Sequence, residues 1–266
     1  MTLRKYILVA QNTWDQTIAY RLNFVMWRFR VFLSLITTYF LWLTLLPSGK
    51  SIGSYNQGSI LTYILGGSIV YSIVLSTRVA DVANEITQGD LSNYLMKPVS
   101  YIWYYFAKDL GDKAMNIVFS LVELSIFFII VRPPFFIQTN FYNLLNFFLA
   151  ITLAIIMNFF LNMLLSFIGF VSSETWAPRF IFFILLSFFA GTLFPLDILP
   201  KWLYIILSSL PFSYLVFMPM KIYLGQLTFT QTLISLGTAA FWSVGLYLSV
   251  LFAWRKGLKI YGAEGK

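Results

Sequence analysis

The sequence predicts an all-α integral membrane protein with six transmembrane helices, an amphipathic N-terminal interfacial helix, and short re-entrant outer helices before the last span. Two observations lead to this prediction. Of the 266 residues, 59% are hydrophobic and only 11% are charged, whereas about 25% are charged in soluble domains. Continuous apolar runs such as 117–131 and 147–171 approach or exceed the ~20 residues that a helix needs to cross a bilayer. They do not resemble the alternating strands of a membrane β-barrel.

Several classes of chemistry are excluded by composition. The chain contains no cysteine and no histidine, so it has no disulfide, no thiol nucleophile, no histidine metal ligand and no Ser-His triad. The segment "GSYNQGSI" at 53–60 has the glycine spacing of a phosphate loop but lacks its lysine. We therefore predict no catalytic residue, metal site or cofactor in this chain. Any ATP must be bound by a separate protein.

Residues 1–28 are predicted to form the interfacial helix. Apolar residues recur there at three- and four-residue spacing, and most polar residues fall elsewhere on the helical wheel. The pattern is typical of a helix that lies along a membrane surface. A soluble lead-in helix packed on the protein is the alternative. The apolar stripe consists of Leu3, Ile7, Ala10, Trp14, Ile18, Leu22 and Val25.

Six apolar segments are predicted to span the membrane, and the basic residues orient them. The predicted spans are 29–47, 59–79, 111–131, 143–171, 178–195 and 232–254. With both termini in the cytoplasm, 14 of the 18 basic residues fall on the inner side, as the positive-inside rule requires. Arg28 and Arg30 are expected to extend to the inner surface. The net charge of +8 is thus a topology signal, and we predict no nucleic-acid partner.

The outer segment 195–231 is apolar, but prolines interrupt it. Its sequence "PLDILPKWLYIILSSLPFSYLVFMPMKIYLGQLTFTQ" leaves only pieces too short to cross a bilayer. Irregular backbone at membrane depth persists only where it is buried in protein or lines a cavity. We predict short helices that enter partway from the outer face. A further distorted pair of spans is the alternative, with the same orientation.

Ionisable groups are scarce within the predicted spans, and Glu123 is the clearest one. It shares one helix face with Asn116 and Ser120, and Asn158 and Asn162 form a similar stripe on the fourth span. Such side chains usually hydrogen-bond between helices, and lining a substrate pathway is the alternative. An ATP-independent carrier or channel using Glu123 is accordingly a competing function.

The stretch "EITQGDLSNYLMKPVS" at 85–100 is polar and lies in the longest inner loop, 80–110. Gly89 permits a turn, and Pro98 disfavours helix at the preceding residue. Tyr94, Leu95 and Met96 are unusually apolar for a solvated loop. They favour a short helix that a partner protein covers. A loop that touches lipid headgroups is the alternative.

The chain resembles the ABC-2 type permeases, the membrane subunits of certain ATP-binding-cassette exporters. The similarity covers the N-terminal helix and spans, the inner motif, and the outer segment "GTLFPLDILPKWLYIILSSLPFSYLVFMPMKIYLGQ". The inner motif is similar to a family segment of the form E-x-x-x-G-x-L-x-x-x-L-x-x-P-[VI]-S. Its residues here are Glu85, Gly89, Leu91, Leu95, Pro98, Val99 and Ser100.

The resemblance implies a transport mechanism and a set of partners. Two permease chains would form the pathway in the cell membrane, and two cytoplasmic ATPase subunits would bind ATP and Mg²⁺ below them. A distinct second permease is favoured over an identical copy. Membrane lipids surround the complex, and its cargo is left open. The implied ATPase-coupling residues are Glu85, Gly89, Leu91, Tyr94, Leu95 and Pro98, and the implied outer gate contains Phe194, Pro195, Pro211 and Phe212. The whole chain, 1–266, is expected to form one permease domain.

Overall fold

The computed structural model describes residues 2–19 and 21–262. Leu3 and Lys266, which entered the sequence analysis, lie outside the residues whose side chains are described. Eleven α-helices and one two-stranded hairpin account for most of the described chain. They are α1 (Thr2–Ala19), α2 (Arg21–Leu45), β1 (Ser51–Ile52), β2 (Tyr55–Asn56), α3 (Gln57–Val74), α4 (Ala80–Thr87), α5 (Leu91–Leu95), α6 (Tyr101–Val131), α7 (Phe141–Ser166), α8 (Trp176–Phe189), α9 (Lys201–Ser209), α10 (Phe217–Tyr223) and α11 (Phe229–Ile260).

Five of these helices are long and apolar enough to cross a membrane. They are α2, α3, α6, α7 with the 3-10 turn that continues it at Phe167–Phe170, and α11. The prediction of an all-α membrane fold is confirmed by this architecture. Local signals start several of the helices: Asn56 and Thr228 form capping boxes, and the Asn140 side chain accepts a hydrogen bond from the Tyr142 amide.

The predicted fifth span, 178–195, corresponds to α8, which has only 14 residues. At 1.5 Å per residue it is about 21 Å long, shorter than the ~30 Å hydrocarbon core. The helix ends because Gly191 adopts a left-handed conformation with φ of 75°. The Gly191 carbonyl accepts a hydrogen bond from the Tyr63 hydroxyl at 2.6 Å.

The inner loop is shorter than the sequence predicts, because α6 begins at Tyr101 and not at residue 111. Lys108 and Asp109 lie in the part of α6 that was predicted as loop, and Asp112 and Lys113 lie at the start of the predicted span. These charged side chains pair with one another or with neighbouring elements. They are therefore compatible with a helix that continues into the bundle.

The predicted interfacial helix is also shorter than expected. It comprises α1 only, and residues 21–28 belong to the start of α2. Thr13 and Thr17 are buried on the side that faces α6. Ile7 and Ile18, from the predicted apolar stripe, are about half exposed, so α1 presents one apolar face away from the protein.

The bundle has two distinct ends. At the end we call the α4–α5 end, the ends of α3, α7 and α11 meet the starts of α6 and α8. The opposite end, the α9–α10 end, contains the β1–β2 hairpin, where Ser51 pairs with Asn56 and Ile52 with Tyr55. The Trp42 indole there donates to the Leu193 carbonyl at 2.9 Å.

Candidate functional site

The first half of the α4–α5 segment is held by internal hydrogen bonds. The Tyr101 hydroxyl donates to the Glu85 carboxylate at 2.6 Å, and the Tyr105 hydroxyl donates to its other oxygen. Gly89 has a φ of 84°, and its carbonyl accepts from the Tyr261 hydroxyl at 2.6 Å. Leu91 is fully buried. Glu85, Gly89 and Leu91, three of the residues implied to couple to an ATPase, thus attach the segment to the bundle.

The second half of the segment is an exposed apolar tip. Leu95 is 46% exposed and Met96 is 79% exposed, and Pro98 is exposed as well. Tyr94 is half-buried, with Lys97 Nζ 4.4 Å from its ring centroid. Burial and the Glu85 carboxylate raise the pKa of Tyr94 above its ordinary value, so its hydroxyl stays neutral. We refer to residues 94–98 as the tip.

The position of the tip is rigidly defined by contacts behind it. The Phe167–Phe170 turn packs against α4, where a Cβ added to Gly169 would lie only 3.0 Å from the Ala83 carbonyl oxygen. Tyr101, which bonds Glu85, stacks on Trp254 of α11 at 5.2 Å between ring centroids. These contacts connect the base of the α4–α5 segment to the long helices α6, α7 and α11.

A cluster of charged side chains lies on the bundle side of this segment, where α1, the end of α3 and α6 meet. Arg78 pairs with Asp112 at 2.8 Å and donates to the Thr17 hydroxyl at 3.0 Å. Lys113 pairs with the fully buried Asp109 at 3.1 Å and also donates to the Val74 carbonyl. The cluster connects the N-terminal helix to the end of α3.

Arg28 is not at the membrane surface as predicted, because it forms a buried ion pair with Glu123. The Arg28 guanidinium Nε lies 2.7 Å from Glu123 Oε1, and the Arg28 side chain is only 4% exposed. The same guanidinium donates to Ser72, Asn116 and Ser120 at 3.1–3.3 Å. Glu123 therefore has the basic partner that the sequence analysis did not find.

The second polar stripe, on α7, also bonds to other parts of the protein. The Asn158 amide donates to the Val74 carbonyl at 2.7 Å, and Asn162 donates to the Asn158 carbonyl at 2.9 Å. Ser166 donates to the Val79 carbonyl at 2.8 Å. The Asn158 bond satisfies a carbonyl that α3 leaves free where it ends, and the Ser166 bond joins α7 to the residue before α4.

The outer segment is deeply buried, although prolines divide it. Residues 213–222 are all buried. Pro195 and Pro211 are buried, and the rings of the half-buried Phe194 and Phe212 contact Phe188 and Phe189 respectively. The two phenylalanines of the implied outer gate thus pack against α8, and its two prolines are buried.

Within this segment, an ion pair joins its two ends. Lys221 Nζ lies 2.6 Å from Asp197 Oδ2, and the Tyr55 hydroxyl donates to the same oxygen at 3.4 Å. Burial and the Asp197 charge raise the pKa of Tyr55 above its ordinary value. The pair holds α10 against the turn that follows α8.

Lys221→Met is expected to lower the free energy of unfolding by about 2 kcal/mol, because it leaves a largely buried carboxylate without its cation. Thermal unfolding in detergent measures the loss. Lys201→Met, at an exposed position of α9, removes the same charge and serves as the control. Equal losses in the two variants would contradict this role of the pair.

A cleft lies between α2, α3 and α8. Its larger cavity, of about 600 Å³, is at the α4–α5 end, and a second one of about 320 Å³ lies beside it. Tyr71 and Phe183 line both cavities. The polar residues of the larger one include Gln16, Thr17, Arg78, Asp81, Asn116, Asn162 and Arg179.

Sequence reasoning missed the partners in these polar sites. Asp109, Asp112 and Lys113 continue the Asn116–Ser120–Glu123 face of α6 toward its start, and this periodicity is visible in the sequence. The role of Arg28 has no comparable signal, because its partner lies 95 positions away. Arg179 was counted only as one of the basic residues on the inner side, although it lines the cleft.

The fold and its buried polar contacts define a multi-pass α-helical membrane protein. A family model described as ABC-2 family transporter protein matches residues 32–265, which is most of the chain. The chain belongs to this family, as its motifs predicted. The family is a membrane transport component and not itself catalytic, and membership implies partnering with an ATP-binding subunit. A comparison with curated proteins gives no match.

Proposed function

We propose that this chain is the permease subunit of an ATP-driven exporter, that it forms half of the translocation pathway, and that it couples to a separate cytoplasmic ATPase. Two ATPase subunits would hold ATP and Mg²⁺, and a second, distinct permease would complete the pathway in the cell membrane. The α4–α5 segment carries the proposal. Its base is fastened to the bundle while its apolar tip is exposed, as expected of a helix that sits in a partner's groove.

The proposed orientation places both termini and the α4–α5 end in the cytoplasm. The basic residues support it, with 14 on this side and 4 on the other. In this arrangement the tip faces the ATPase, and α9 and α10 form the re-entrant outer segment. The burial of residues 213–222 supports that assignment, because broken backbone at membrane depth needs protein around it.

We propose that α8, completed by the residues after it, is the fifth of six crossings in chain order. Its first turn is near the cytoplasmic end, where Arg179 donates to Ser166 of α7 at 2.9 Å. After its last turn, Gly191 bonds Tyr63 near the start of α3, and Leu193 bonds Trp42 near the end of α2. The chain therefore travels toward the outer side despite the shortness of the helix.

The pathway is proposed to follow the cleft between α2, α3 and α8. Phe183 and Leu193, which line it, are 38% and 47% exposed, so one side of the cleft is open to a second permease or to lipid. The two cavities together are as large as typical small-molecule sites, which have volumes of about 300–1,000 Å³.

Leu95→Asp is expected to weaken ATPase binding at least ~10-fold, because a charge in an apolar contact costs more than the 1.4 kcal/mol that this factor represents. The measurement is purification from native membranes through a C-terminal tag, with mass spectrometry of the retained proteins. Leu95 is half exposed, so folding should be unaffected, which the melting temperature checks.

Asn84→Asp adds the same charge to an exposed position of α4 and should retain the ATPase. A second permease among the retained proteins would identify the partner chain. The proposal fails if the wild-type chain is recovered alone and still moves substrate in vesicles without ATP.

A further inference from the structure

The cytoplasmic end of the cleft has more positive than negative charge that is not already neutralised. Three arginines line its two cavities: Arg78 and Arg179 in the larger one and Arg30 in the smaller one. Arg78 is paired with Asp112. Asp81, the other acid that lines the larger cavity, is paired with Lys108 at 2.9 Å.

Arg179 and Arg30 are the remaining cations. Among the residues that the structure describes, neither forms an ion pair within 4 Å. Arg179 donates a hydrogen bond to the Ser166 hydroxyl, and Asp81, which is paired with Lys108, interacts with it only at longer range. Arg179 is half-buried. Keeping a partly desolvated guanidinium without a counter-ion is costly, and an anionic ligand would relieve this cost.

Away from these arginines the lining is uncharged. Arg179 lies in the first turn of α8, whereas Arg30 lies farther along α2 and lines the smaller cavity with Tyr71 from near the end of α3. Farther along, the smaller cavity is lined by apolar side chains such as Leu35, Ile64 and Leu193, and by the hydroxyl groups of Ser34, Thr38, Ser68, Ser187 and Thr192. The cleft thus changes from cationic to uncharged, with apolar and hydroxyl-bearing side chains together, along the direction in which it runs toward the outer side.

We infer that this cleft binds a membrane amphiphile with an anionic head, and that such amphiphiles are the cargo class of the proposed exporter. Arg179 holds the phosphate or carboxylate of the head, and Arg30 adds to the positive potential there. The acyl chain extends along the uncharged part of the cleft past Tyr71 and Phe183. The cargo assignment rests on the proposed function, whereas the binding site does not.

The chemistry of arginine favours an anion over a zwitterionic head. A guanidinium forms paired, charge-assisted hydrogen bonds with a phosphate or carboxylate, and these are stronger in a site with little water. In a zwitterionic head the attached ammonium would meet the second cation. A free inorganic anion would leave the uncharged part of the cleft empty, so an amphiphile fits the whole surface better.

The test compares two short-chain lipids that differ only in their heads. Dioctanoyl phosphatidylglycerol and dioctanoyl phosphatidylcholine are titrated into the detergent-purified complex, and binding is measured by calorimetry. Wild type should bind the anionic lipid about 10-fold more tightly, corresponding to one good charge-assisted contact. Arg179→Gln should abolish this preference, and Arg179→Lys should retain part of it. Arg255→Gln removes an exposed arginine of α11 outside the cleft and should leave the preference unchanged.

Equal binding of the two lipids by wild type, or an undiminished preference in Arg179→Gln, would overturn the binding site. Loss of the second permease from the Arg179→Gln complex with lipid binding intact would overturn it too, since Arg179 would then serve the contact between subunits.

The cargo assignment is tested in vesicles that contain the complex with its ATPase. Addition of ATP should move a fluorescent phosphatidylglycerol from one leaflet to the other. A lipid that binds to the complex but is not moved by ATP would contradict the cargo assignment. Failure to capture an ATPase would overturn the proposed function while the binding measurement stands.

Discussion

Glu123→Ala is expected to lower the free energy of unfolding by about 3–5 kcal/mol, because it leaves Arg28 buried without its counter-charge. Arg28 is nearly inaccessible, and its guanidinium joins α2 to α3 and α6. Ser72, Asn116 and Ser120 supply hydrogen bonds but no negative charge. The change is measured by denaturant titration in detergent, with the intrinsic tryptophan fluorescence as the signal.

A double variant separates the loss of the pair from the loss of one partner. Arg28→Met with Glu123→Leu replaces the pair by apolar side chains, and stability should return to within about 1–2 kcal/mol of wild type. Asn116 and Ser120 keep acceptors on their own helix, at Asp112 and Asn116. A double variant as unstable as Glu123→Ala would show that the pair does more than neutralise charge.

The same variants decide between the two candidate functions. In an ATP-driven exporter the ion pair serves only to join helices. A double variant that has regained its stability should therefore still transport. In an ATP-independent carrier that uses Glu123, every variant without the carboxylate should be inactive, however stable it is. Transport by the double variant would therefore exclude the carrier. Loss of transport in a double variant that is fully folded would favour the carrier.

Gly111→Val is expected to separate α1 from α6 at a cost of about 3 kcal/mol, at the upper end of the range for overpacking. A Cβ on Gly111 would lie 2.5 Å from the Ala10 carbonyl oxygen. The obstacle is backbone, so a change of rotamer cannot relieve the clash. Because Thr17 of α1 also bonds Arg78, the charge cluster should loosen and ATP-driven transport should fall.

The absence of native cysteines makes this separation directly measurable. A single cysteine introduced at Thr13, which is 3% exposed, should resist maleimide in the otherwise wild-type chain and react when Gly111→Val is added. Gly245→Val is the matched control, since a Cβ there meets nothing within 4 Å and the change in helix propensity is the same. Protection of the cysteine in the Gly111→Val chain would refute the close approach of the two helices.

Much of the fold was predictable because it follows from local composition and periodicity. The long helices correspond to apolar runs, and their starts coincide with signals such as Asn56, Asn140 and Thr228. The exposed tip was also foreseeable, because Leu95 and Met96 are apolar in a polar stretch. The predicted start of α6 was wrong by ten residues. Asp109, in the residues predicted as loop, is buried inside the bundle, because Lys113 on the same helix neutralises it.

The identity of the candidate sites was harder to predict, since each joins residues from distant parts of the chain. Glu85 belongs to a conspicuous motif, yet its role is decided by Tyr101 and Tyr105, which turn it inward. The end of α8 depends on the left-handed Gly191 and on the Tyr63 hydroxyl. Nothing in the local sequence specifies these pairings.

The sequence by itself determined the class of protein, the family, and the location of the polar inner segment. These properties depend on the transfer of residues into a bilayer and on helix geometry. Both are decided by residues that are close together in the sequence. Only the tertiary structure decided that Arg28 neutralises Glu123, and that Arg30 and Arg179 share one cleft whose acids, Asp81 and Asp112, are paired with other cations. Such pairings depend on which helices pack together, and packing is set by the shapes of surfaces far apart in the chain.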